Sequence, residues 1–403
     1  MRDEMKKVPR LRFRGFSEDW ELCKLEKLTD FFSGLTYSPD NVQKDGTFVL
    51  RSSNVKDNAI ISADNVYVRN EVANSEHVQV GDVIVVVRNG SRSLIGKHAP
   101  INREMPNTVI GAFMTGLRSP SPKFLNTLLD TQQFNVEIHK NLGATINQIT
   151  TGEFKRMHFI VPTDEDEKEK IGSLFRQLDD IITLHQRKLD QLKELKKAYL
   201  QLMFVSMNTK NNKVPKLRFA DFEGDWKQRK LGDFLEDFSK KSTIENEYII
   251  LSSTNNGMEI REGRVSGNSN LGYKIIDDGD LVLSPQNLWL GNININNIGQ
   301  GLVSPSYKTF KIIDLNKEFL NPQLRTNKML DQYKNASTQG ASIVRRNLEL
   351  DLFYQIRIFI PKNEEQKQIG LLFRKLNESI SLHQSKLDSI KYLKKAYLQN
   401  MFI

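Results

Sequence analysis

A chain of 403 residues and 46.5 kDa exceeds one ordinary domain and has room for two or three cores. Its single cysteine, Cys23, excludes an internal disulfide and a thiolate metal cluster. A net charge of +9 and a sequence pI near 9.3 favour an anionic partner such as nucleic acid. The opening MRDEMKK carries no apolar signal core, and no stretch approaches the ~18 apolar residues of a membrane span, so a reducing compartment without membrane attachment is expected.

The first distinctive stretch is VPRLRFRGFSEDW (8–20). A mixed region follows, in which FVLRSSNV, DVIVVVR and MHFIVP read as strands and 122–141 as helical. Within it, GSRSLIGKH (90–98) comes nearest to a phosphate-cradling loop. It fails the pattern, having five residues between its glycines instead of four and His98 where Ser or Thr must hold magnesium. At 161–167, VPTDEDE puts a proline and Thr163 ahead of acids suited to a helix N-terminus, so this acidic run reads as a capping face and not a metal site. A helix of about 40 residues, roughly 60 Å long, is then expected. Its apolar seam runs Ile171, Phe175, Leu178, Ile182, His185, Leu189, Leu192, Tyr199 and Met203 in 4-3 spacing, with Lys196 filling one seam position.

The second half restarts the same plan. VPKLRFADFEGDW (214–226) matches the first opening, and YIILSST, DLVLSP and QIRIFIP read as strands, with a helical stretch at 318–334. IPKNEEQ, with Asn363 as the capping residue, starts a second long helix whose seam is Ile369, Phe373, Leu376, Ile380, His383, Leu387, Ile390, Tyr397 and Met401, with Lys394 in the lysine's place. About two-thirds of the positions in 171–204 and 369–402 are identical, down to the closing phrases LKKAYLQLMF and LKKAYLQNMF. VGDVIVVV echoes DGDLVLS, and GATI (143–146) echoes GASI (340–343). His185 and His383 share a seam position and read as packed or register-setting residues, since no acidic or cysteine partners recur beside them.

The expected architecture is α+β: two mixed α/β domains separated by two long helices that pair as an antiparallel coiled coil, in a pseudo-twofold internal duplication. The boundaries are 1–161 for the first variable domain, 162–208 for the first helical segment, 209–361 for the second domain and 362–403 for the second segment. The chain carries no dinucleotide fingerprint, no His-Glu-x-x-His helix, no GxSxG elbow and no Pro-Pro methyltransferase motif, so no covalent chemistry is expected of it alone.

The duplicated EQKQIG…LF…KL…LKKAYLQNMF segment and the paired VPKLRF…DW opening resemble the conserved regions of specificity (S) subunits of type I restriction-modification systems, over essentially the full chain. The resemblance implies that each variable domain is a target-recognition domain reading one half of a split double-stranded DNA sequence. It implies that the helices set the spacing and dock two methylation (M) subunits, so that a repeated partner explains a repeated phrase. S-adenosylmethionine, ATP and Mg²⁺ would then be used by the M and restriction (R) subunits, with no cofactor or metal in this chain and a cytoplasmic location in a bacterium or archaeon. Phage anti-restriction proteins that mimic DNA are a further implied class of partner.

Base reading wants Arg or Lys for guanine and Asn or Gln for adenine, mounted on loops. In the first domain the candidates are Arg51, Ser53 and Asn54, then Arg88, Asn89, Arg92 and Lys97, and then Asn147 and Gln148. In the second they are Ser253, Thr254 and Asn255, then Gln286, Asn287 and Trp289, and then Arg345 and Arg346. The competing reading is a non-catalytic coiled-coil scaffold that binds proteins, which would show no salt-dependent affinity for duplex DNA.

Overall fold

The computed structural model describes residues 8–142, 147–205, 213–261, 269–339 and 346–403. The chain forms two compact units, one of residues 1–186 with 385–403 and the other of residues 187–384. Among the described residues no helix is long and apolar enough to cross a membrane.

In the first unit, the β-branched run Val83–Val86 is buried at every position, as a central strand must be. It pairs antiparallel with Met114–Arg118 on one side and with His98–Pro100 on the other. Asp30–Ser33 closes the sheet against Met114–Arg118, where Gly116 makes room for the Phe32 ring. Helices Pro122–Leu129 and Gln132–Asn141 cover the sheet, burying Phe124, Leu128, Phe134 and Ile138. A second four-stranded sheet includes Thr47–Leu50, which runs parallel to Thr108–Ile110.

The second unit repeats the main sheet in the same order: Leu235–Asp237, Lys308–Ile312, Leu281–Leu283, Ile293–Ile295. Helices Lys317–Leu324 and Asn327–Asn335 lie beside it and bury Phe319, Leu320, Leu324 and Tyr333. Each opening segment also repeats its pairing, Glu21–Lys24 with His158–Val161 and Lys227–Lys230 with Arg357–Ile360. The GATI and GASI echoes lie outside the described residues.

The long helices span Glu165–Leu202 and Asn363–Met401, 38 and 39 residues or about 57 Å each. The first is capped by Asp164 and not by Thr163: its carboxylate accepts from the Asp166 and Glu167 backbone N–H groups at 2.8 and 3.1 Å. Asn363 lies within the second helix and does not precede it. All the predicted seam positions are buried or half-buried.

What the openings do becomes clear inside each unit. Arg12 forms a bidentate ion pair with the fully buried Glu167, both bonds 2.7 Å, and Arg218 does the same with Glu365 at 2.7 and 2.8 Å. Phe402, ending the repeated phrase, sits among Trp20, Phe124 and Phe175, with centroids 5.9, 6.0 and 6.2 Å away. Phe204, ending the other copy, sits among Trp226, Phe319 and Phe373 at 6.5, 5.7 and 5.7 Å. Gly172 and Gly370 let the helices approach these clusters, since a Cβ on either would meet the backbone of Phe124 or Phe319 at 2.5 or 3.0 Å.

Candidate nucleic-acid interface

Three separate stretches of the first domain converge. The strand Val83–Val86 delivers Arg88 and Asn89 to its exit loop, where the Asn89 N–H donates to the Asn147 carbonyl at 3.2 Å. The Asn147 amide returns a bond to the Gly90 carbonyl at 3.0 Å, and Arg88 bridges to Gln148 along the backbone. The Asn89 amide donates to Ser52 Oγ at 3.0 Å, joining the turn that carries Arg51, Ser53 and Asn54. Arg88, Arg92 and Lys97 are exposed around this junction, and no carboxylate ion-pairs with them among the described residues. A basic rim with amide groups behind it is suited to phosphates at its edge and base edges further in.

Two nominated residues are scaffold and not surface. Asn54 is fully buried, and its amide nitrogen donates to the Ile61 and Ala63 carbonyls and to Asn65 Oδ1. Its Oδ1 accepts the Arg51 N–H at 2.9 Å, so it ties the turn shut. Ser253 is likewise buried, accepting from Asn294 at 2.8 Å. In sequence both stand in polar runs, RSSN and SSTN, that look alike whether a residue faces out or in.

In the second domain, Asn294 also donates to the Thr254 carbonyl at 2.7 Å, which fastens the Thr254–Asn255 loop to the strand Ile293–Ile295. Thr254 Oγ1 bonds Glu259 at 3.0 Å, leaving Asn255 exposed. Gln286 is exposed, Asn287 precedes the short turn Leu288–Leu290 that carries Trp289, and Gly291 ends that turn at φ 92°. Arg346 sits on a separate hairpin, opposite Gln339. Arg345 lies outside the described residues.

One residue had not been nominated. Phe113 is half exposed, and the Arg88 guanidinium lies 4.9 Å from its ring centroid. An aromatic beside an arginine at this junction offers a stacking surface. In the string GAFMTGL it reads as an ordinary strand residue. Among the described residues no group of three or more His, Cys, Asp or Glu could hold a metal ion.

Two sheet-rich units with the same order in their main sheets, and a long helix following each, define a mixed α/β protein. The profile described as "Type I restriction modification DNA specificity domain" matches residues 17–194. The chain is 24% identical over 202 residues to the type I restriction enzyme StySPI specificity subunit of Salmonella potsdam, covering 47% of this chain and 42% of that one. It is 24% identical over 197 residues to the EcoKI specificity subunit of Escherichia coli K12, covering 46% and 41%. The match thus spans about two-fifths of the length of these relatives. In fold, the chain is similar to the crystal structure of a type I restriction-modification S subunit from M. genitalium, with a TM-score of 0.67 and 14% identity over 98% of this chain and 99% of that one. The match to the DNA specificity domain covers residues 17–194, and the likeness to a solved S subunit extends over nearly the whole chain in fold.

Proposed function

We propose that this chain is the DNA-recognition subunit of a type I restriction-modification complex, each variable domain reading one half of a bipartite duplex target. It catalyses nothing itself. The methylation and restriction subunits hold the S-adenosylmethionine, ATP and Mg²⁺ chemistry, and the complex works in the cytoplasm. The domains run 1–161 and 209–361, with the helical segments 162–208 and 362–403 between and after them.

The observation that supports this reading is one arrangement found in both units. Each unit has the same sheet order, the same Arg–Glu pair and the same plug of phenylalanine into a tryptophan cluster. In each, the first half of one long helix shares a core with the last part of the other: Phe175 with Phe402 and Leu398, Phe373 with Phe204 and Leu200. That pairing of early with late residues supports an antiparallel coiled coil that acts as the spacer. Leu184 and Leu382, at equivalent positions, are 66% and 54% exposed, and Leu195 and Leu393 are 40% and 39% exposed. A duplicated set of exposed leucines suits two copies of one docking partner, the methylation subunit. DNA-mimicking inhibitors would compete at the same basic loops.

The base- and phosphate-contacting set is Arg51, Ser53, Arg88, Asn89, Arg92, Lys97, Asn147 and Gln148 in the first domain. In the second it is Thr254, Asn255, Gln286, Asn287, Trp289, Arg345 and Arg346. Mapping methylated adenines in cells that carry the system tests the reading. Replacing 8–160 with a relative's domain is expected to change one half of the methylated motif only. A change in both halves sinks modular reading, and salt-insensitive or absent duplex binding by the assembled complex favours the protein scaffold.

A further inference from the structure

The second unit contains a cavity of about 140 Å³ that the reading above leaves unused. Its cationic lining is Lys197, Arg325, Lys328 and Arg357, and no Asp or Glu lines it. Its floor is apolar and aromatic, including Phe204 and Phe359. Gln323 also lines it, more than nine-tenths buried. The Gln323 amide nitrogen donates to the Phe359 carbonyl at 3.1 Å, while its Oε1 has no hydrogen-bond partner.

The matching place in the first unit shows that this lining is not a by-product of the fold. There the residue corresponding to Arg325 is Asp130, and the one corresponding to Gln323 is Leu128, fully buried. Lys394, the counterpart of Lys196, is neutralised by Asp130 and Asp179 at 2.7 and 2.6 Å. In the second unit Asn377 replaces Asp179, and no carboxylate pairs with Lys196 or Arg325 among the described residues. Among the described residues the Arg325 guanidinium donates to the Asn255 and Asn256 carbonyls and to no carboxylate. Burial, and then the Arg325 charge, push the Lys196 ammonium below its ordinary value. Half-buried cations without counter-charge are costly to hold, and a bound anion removes that cost.

We propose that this cavity is a binding site for a small aromatic phosphate monoester of the nucleoside monophosphate class. The phosphate lies among Arg325, Lys328 and Arg357, the flat ring covers the apolar floor, and an amino group on the ring donates to Gln323 Oε1. A bare anion would leave the floor and the amide oxygen unused, and a neutral aromatic would leave the cations unpaired.

Calorimetric titration of the full-length chain with AMP, adenosine, inorganic phosphate and a short duplex tests it. AMP is expected to bind at one site per chain, more tightly than either adenosine or phosphate. Arg325→Asp, which installs the first unit's residue, is expected to weaken AMP roughly 10- to 100-fold, the worth of one charge-assisted hydrogen bond. Gln323→Leu is expected to weaken AMP roughly 3- to 10-fold and leave phosphate unchanged. Lys328→Gln gives a milder loss and guards against misfolding of the charge reversal. The proposal is overturned if AMP does not bind, if phosphate binds as well as AMP, if Arg325→Asp and Lys328→Gln both bind AMP normally, or if the duplex displaces AMP competitively.

Discussion

Lys394 and Lys196 occupy the same position of the same repeated phrase and live in opposite surroundings. Lys394 sits in a half-buried network: Asp130 and Asp179 take its ammonium, and Asp130 also faces His98 Nε2 at 3.2 Å and accepts from the Asn58 amide. Lys196 has Arg325 for a neighbour and no carboxylate partner among the described residues. The two units therefore share a scaffold and differ in polarity at one matched place. A matched backbone need not carry matched chemistry; the two units differ here at Asp130/Arg325, Leu128/Gln323 and Asp179/Asn377.

The largest effects should come where the units agree. Phe402→Ala and Phe204→Ala each empty an aromatic cluster that includes a nearly fully buried tryptophan, and each is expected to cost roughly 3–5 kcal/mol. Urea unfolding followed by tryptophan fluorescence measures this. A loss confined to one of the two variants would show that the duplicated plug is not equivalent.

The lysines should then separate the units. Lys394→Met leaves two carboxylates partly buried without their cation, which is expected to cost about 3 kcal/mol, as breaking a buried pair does. Lys196→Met removes an uncompensated charge and keeps the stem's packing, so it is expected to change stability by less than about 1 kcal/mol, in the stabilising direction. Equal losses in thermal or urea unfolding would mean that Lys196 has a counter-charge in solution.

These pairs also mark how far the sequence could be read. The long helices, both openings and the seams were legible because a 4-3 pattern is local and appeared twice. Strands such as Val83–Val86 were legible from their β-branched run. Lys394 and Lys196 were visible as oddities in the seams, but their difference was not. It depends on residues 130 and 325, which lie 264 and 129 positions away in the chain and meet the lysines only through folding. The Arg12–Glu167 and Arg218–Glu365 pairs were hidden for the same reason. Asn54 shows the opposite error: an asparagine on a polar loop looks readable from outside, yet its amide holds the loop together from within.

The finest test is acid titration of the first unit's network. Burial would raise the Asp130 carboxyl, but the hydrogen bonds and charges of His98 and Lys394 outweigh it and hold the group at about 2. An ordinary aspartate titrates near 3.9, so the folded state binds this proton later than the unfolded chain does. Stability from Asp130 is therefore fully present above about pH 4 and is lost as the pH falls toward 2, by roughly 2 kcal/mol at most. Asp179 works in the other direction, because burial raises its carboxyl despite Lys394, and this trims the total. Asp130→Asn is expected to be less stable than the parent at pH 6, with the gap closing between pH 4 and pH 2. Arg325→Asp probes the same chemistry from the other unit: a new carboxylate beside Lys196 should introduce an acid-labile increment absent from the parent. Urea midpoints measured from pH 6 down to the lowest pH at which the chain still folds decide it. A gap for Asp130→Asn that stays constant across that range would mean that Asp130 contributes through packing and not through charge.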